Sequence, residues 1–155
     1  MNPTQRSGGN PLYLEDLQTG QRFASRSIGI SAEQIIAFAT QFDPQPFHLD
    51  AQAAMASIFQ GLVASGWHTA ALTMRLLVDG GLPIAGGAIG TGGEISWPRP
   101  TRPGDVLSVE SEILEIRPSR SKPDRGMVTA KCETRNQHGE IVQSMTCKLL
   151  VLRRA

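Results

Sequence analysis

The run Gly66-Trp67-His68-Thr69-Ala70-Ala71-Leu72-Thr73-Met74-Arg75-Leu76-Leu77-Val78 decides the fold. Trp67, Ala70, Ala71, Met74, Leu77 and Val78 recur at the spacing of one helix face, and Leu72 and Leu76 make the opposite side apolar as well. A helix of this kind is expected to be wrapped by other structure. Gly80-Gly81 followed by Pro83 terminates it. Everything beyond reads as β: a glycine-rich strand over 86–97, a connection through Pro98, Pro100, Pro103 and Gly104, then strands over 105–116, 127–135 and 141–152. In the second of these the apolar phase slips, with Leu107, Val109 and Ile113 on one face and Leu114 and Ile116 on the next, which predicts a bulge. An antiparallel sheet with one wet face must cover the other, and one long helix does so. The class is therefore α+β.

Upstream of the helix, residues 1–11 are polar and read as a flexible tail ahead of one domain over 12–155. A strand is expected over 21–30. Ser31 with Gln34 forms a capping box for a helix over 32–41, and Asp50 caps a short helix over 51–58. Between these helices stands Phe42-Asp43-Pro44-Gln45-Pro46-Phe47-His48, a carboxylate five residues from an imidazole across two prolines. The prolines predict a stiff loop, not a helix, carrying two acid/base groups. Ser65-Gly66 opens the long helix, whose first free N–H groups suit a carbonyl oxygen that is gaining negative charge.

Composition narrows the function. The chain has 155 residues, a net charge of +1 and 19% charged residues, so nothing in it calls for nucleic acid or a membrane surface as partner. It has no apolar run long enough to span a membrane and no hydrophobic signal-peptide core, so a cytoplasmic protein is expected. Cys132 and Cys147 read as core thiols: a hairpin turning at 136–139 would set Cys132 opposite about residue 143, roughly 13 Å along the strand from Cys147, too far for a disulfide.

With these residues placed, the chain resembles the MaoC-like dehydratase family, hot-dog-fold relatives of (R)-specific enoyl-CoA hydratases. The family motif Gly-Asp-x-Asn-Pro-x-His appears as residues 42–48, its His-Gly as Ser65-Gly66 and its later Gly-Asp turn as Gly104-Asp105. The resemblance implies a single hot-dog domain, a sheet wrapped around a central helix. It implies that Asp43 and His48 activate a water that adds to C3 of a 2-enoyl thioester and return a proton to C2, with the Gly66 N–H on the thioester carbonyl. It implies an acyl-CoA substrate, no cofactor beyond that coenzyme A, no metal, and a homodimer or larger assembly of dimers. Phe42, Gln45 and Ser65 stand where the family has Gly, Asn and His, and Met74 where hydratases carry a serine. With Trp67, these residues are expected to line the substrate site.

Other readings of the same residues exist. Asp-Pro makes turns without catalysis, and His48, Asp50 and His68 together would suggest a metal, although they share no compact ligand spacing. Hot-dog domains also serve as acyl-thioester binding modules and as acyl-CoA thioesterases. The glycines of 86–93 either make room for the helix or admit a ligand. Arg117, Arg120, Lys122 and Arg125 form a loop that is either merely solvated or a contact for coenzyme A phosphates.

Overall fold

The computed structural model describes residues 10–155 and the backbone pairing of Gln5–Arg6. Most of the predicted tail thus lies outside the described residues. In chain order the elements are strands β1 (Gln5–Arg6), β2 (Arg22–Ala24) and β3 (Ile28–Gly29), helices α1 (Ala32–Phe42), α2 (Pro46–Leu49), α3 (Ala51–Met55) and α4 (Gly66–Leu76), and strands β4 (Ile89–Ser96), β5 (Val106–Pro118), β6 (Arg125–Arg135) and β7 (Ile141–Leu152). The sheet runs β1-β2-β5-β6-β7-β4, with β3 paired separately to β5. Among the described strands the β1–β2 pairing is parallel and the others antiparallel, and an isolated parallel bridge joins Leu12 to Ile84. A long helix against an antiparallel sheet is the α+β arrangement expected.

The inner face of the sheet carries Leu107, Val109, Ile113, Val128, Ala130, Cys132, Leu149 and Val151, which pack with Leu76 and Leu77 into the main core. The bulge predicted in β5 occurs as a register shift between Ile113 and Glu115. A smaller cluster of Ile30, Ile35, Ala54, Leu62 and Ala64 lies under α1 and α3, and Leu72 touches both clusters. Thus α4 joins the sheet to the segment carrying the acid/base pair.

Four expectations need correction. The strand over 21–30 is broken, because the Ser25 hydroxyl accepts the Val109 N–H at 2.8 Å and donates to the Arg26 carbonyl at 2.6 Å, replacing part of the backbone ladder. His48 lies in a helical turn and not in a loop: Pro46 stands at its start, where a proline's fixed φ and missing N–H are tolerated. The long helix presents Thr69, Thr73 and Leu76 to the core, while Trp67, Met74 and Val78 are exposed. Its buried hydroxyls are satisfied, Thr69 donating to Thr101 at 2.9 Å and Thr73 paired with Thr134 at 2.7 Å. Finally, Cys132 stands opposite Met145 and Cys147 opposite Ala130, so the two thiols are diagonal neighbours on one face; both are free.

Candidate active site

Asp43 follows α1 directly and closes it through its N–H to Ala39. Three residues later α2 begins, turning His48 back toward the carboxylate. The chain then passes α3, turns at Gln60-Gly61 and returns as an extended segment held on both sides: the Val63 N–H donates to the Phe47 carbonyl at 3.1 Å and the Ala64 N–H to that of Thr101 at 2.9 Å. This segment delivers Ser65 and Gly66 to the acid/base pair.

His48 is 5% exposed. Its Nδ1 lies 2.6 Å from the Val63 carbonyl oxygen, which can only accept, so Nδ1 carries the proton and donates. In the neutral ring this leaves the Nε2 lone pair facing Asp43 Oδ2, 3.3 Å away. Two acceptors then face one another, an arrangement suited to a water that donates to both.

The carboxylate is held firmly. Ser65 Oγ donates to Asp43 Oδ2 at 2.7 Å, and Gln45 Nε2 donates to Oδ1 at 2.6 Å. Burial raises the Asp43 pKa, but the Ser65 and Gln45 hydrogen bonds, joined by the charge of the His48 ring when it is protonated, outweigh it and leave the carboxyl below its ordinary value. Ser65, fully buried, also accepts the Trp67 N–H at 3.2 Å as the cap of α4. One hydroxyl therefore links the carboxylate to the helix start. At that start the Gly66 N–H has no hydrogen-bond partner among the described residues.

Around this group lies a cleft of about 410 Å³, lined by Phe47, Phe59, Val63, Trp67, Trp97, Arg99 and Thr101 among others. Sequence reasoning missed Trp97, Arg99, Thr101, Phe47 and Phe59. Of the residues it named, the structure brings Asp43, Gln45, His48, Ser65, Gly66 and Trp67 together. It does not bring Phe42, which is 66% exposed at the end of α1 and packs on Phe38. Met74 faces a second, apolar groove of about 350 Å³ between α4 and β4.

The other readings find their places too. Asp50 caps α3 by accepting from Gln52 and Ala53, and the His68 ring stacks on Phe38 at 4.5 Å, so neither joins His48 around a common point. Gly90 and Gly92 border the second groove with open space where a Cβ would stand, so they do not make room for the helix. The basic loop follows β5 at the end opposite the cleft, roughly 40 Å from where that strand begins. Among the described residues no helix is long and apolar enough to cross a membrane.

Comparison with known proteins shows relatives of the same fold. The profile of the family described as "MaoC like domain" matches residues 16–136. A solved structure of a MaoC-like dehydratase from Rhodospirillum rubrum is 60% identical and superposes with a TM-score of 0.91 over 93% of this chain and 99% of that one. The (R)-hydratase PhaJ1 from Pseudomonas aeruginosa is 27% identical, with a TM-score of 0.76 over 93% of this chain and 88% of its own. A 3-hydroxybutyryl-CoA dehydratase from Methylorubrum extorquens is 31% identical over 72% of this chain and 69% of its own.

Proposed function

We propose, from the premise that this chain belongs to the MaoC-like dehydratase family, that it catalyses the reversible hydration of a 2-enoyl thioester, with acyl-CoA as the carrier. The observation that carries this reading is the pair Asp43 Oδ2 and His48 Nε2, two acceptors 3.3 Å apart in a cleft beside the unpartnered Gly66 N–H. A water donating to both loses a proton to the pair as its oxygen bonds C3 of the enoyl group. The π electrons move onto the thioester oxygen, where the Gly66 N–H and the helix start stabilise the developing charge. The proton returns to C2, and dehydration is the same path reversed. Neither a metal nor a redox cofactor enters this scheme, and a cytoplasmic setting suits it.

The same reading includes a second copy of this chain. Strand β4 pairs β7 on one side and, among the described residues, no strand on the other, and beside it runs an apolar groove faced by Trp67, Ala70 and Met74. An open edge and an adjoining apolar strip are together suited to pairing with an identical edge.

Incubation with crotonyl-CoA tests the chemistry. Loss of enoyl absorbance with formation of 3-hydroxybutyryl-CoA and no free thiol is the expected result. Thiol released from saturated butyryl-CoA would assign a thioesterase instead.

A further inference from the structure

Trp97 stands just after β4, and its indole lies against the backbone of Gly66: a Cβ on Gly66 would come within 2.7 Å of Trp97 Cε2. Gly66 belongs to α4, so backbone conformation does not call for glycine there; the indole does. Trp97 also meets Trp67 edge-on, with ring centroids 5.2 Å apart. Trp67 lines both the catalytic cleft and the apolar groove, whereas Trp97 faces the cleft alone. The two indoles thus form the wall between the cavities, next to the proposed oxyanion donor.

The wall is anchored from behind. Gln143, on β7, is fully buried, and its Oε1 accepts the Trp97 Nε1–H at 3.0 Å. An indole N–H can only donate, which fixes the amide orientation and turns Nε2 away from it. That Nε2 is buried without a hydrogen-bond partner among the described residues. Leaving a buried donor unpaired is unfavourable, so packing alone does not account for a glutamine here. Its use is to hold the indole.

We infer that Trp97, positioned by Gln143, determines the acyl chain length the enzyme accepts, by ending the cleft beside Gly66 and confining the substrate to short acyl groups. This rests on the hydratase reading of the cleft. With the thioester carbonyl at the Gly66 N–H, carbons beyond the reacting pair run into the Trp67–Trp97 wall. A longer chain needs the indole moved aside.

The test measures kcat/KM for C4, C6, C8 and C10 2-enoyl-CoAs, and Kd for the saturated acyl-CoAs of the same lengths, in wild type, Trp97→Ala, Trp97→Phe and Gln143→Leu. Wild type is expected to favour C4 over C8 by about tenfold or more, and Trp97→Ala to shift that ratio toward C8 by a similar factor. Gln143→Leu, which frees the indole and removes the unpaired amide, is expected to relax selectivity without lowering Tm. Trp97→Phe is expected to restore much of the preference. A chain-length ratio unchanged in folded Trp97→Ala, or in Gln143→Leu where the alanine variant does not fold, overturns the inference. No turnover in wild type, with the chain-length shift present in Kd, overturns the hydratase reading and supports the wall; neither turnover nor binding overturns both.

Discussion

Asp43 stays ionised because Ser65 and Gln45 donate to it, and Ser65→Ala removes the buried donor. The loss is expected to lower kcat/KM by about tenfold, the scale of one hydrogen bond to a charged group. Without that donor the Asp43 pKa rises, so the acid limb of the pH–rate profile moves to higher pH. An unmoved limb would show that Ser65 acts only as a helix cap. His68 makes an independent prediction. Burial holds its pKa below the ordinary value of 6.5, so below that pH the unfolded chain binds a proton that the folded chain resists, and stability falls. His68→Phe, which keeps a ring against Phe38, is expected to lose this component. Melts at pH 5 and pH 8 should show the variant gaining on wild type only at the lower pH. At this scale Asp43 and His48 were legible from their close spacing across two prolines, and Ser65-Gly66 from its place at the start of the long helix. Trp97 and Thr101 were not, since a strand's exit reaches the cleft only through sheet pairing, and Trp97-Pro98-Arg99-Pro100 looked like a connection alone.

The central helix was legible as an element, but its orientation was not. Helical periodicity identifies the apolar side without saying what that side meets. Here Thr73 meets Thr134 on β6 and Thr69 meets Thr101 in the β4–β5 connection, while Trp67, Ala70, Met74 and Leu77 line the groove beside β4. Thr73→Val is expected to cost about 1–3 kcal/mol, because it leaves the buried Thr134 hydroxyl without its Thr73 partner. Adding Thr134→Val should recover part of that loss, and a double-mutant cycle in urea measures the coupling. Additive losses would mean that the two hydroxyls do not act as a pair. The β5–β7 strands were readable from their alternation, including the β5 bulge. The β6–β7 register was not, because the turn places Cys132 opposite residue 145 and not residue 143.

For the whole molecule, the exposed edge of β4 and the adjoining apolar groove predict a dimer, visible by analytical ultracentrifugation at micromolar concentration. Met74→Glu places a charge in the groove, far from Asp43 in the chain, and is expected to weaken association by about tenfold or more. A monomeric wild type would contradict the assignment of that surface to a second copy. The sequence carried the class of the fold to this scale, since one long helix followed by four strand-like runs has few packing solutions. One wall of the cleft, Trp97 to Thr101, depended on a strand exit that sheet pairing brings to the site.

The most direct test of the central claim is crotonyl-CoA hydration by wild type beside Asp43→Asn, with butyryl-CoA binding measured on both. Asparagine keeps the shape and loses the charge. The account predicts a fall in turnover of about a hundredfold or more, with binding preserved. Turnover in Asp43→Asn equal to that of wild type would contradict it.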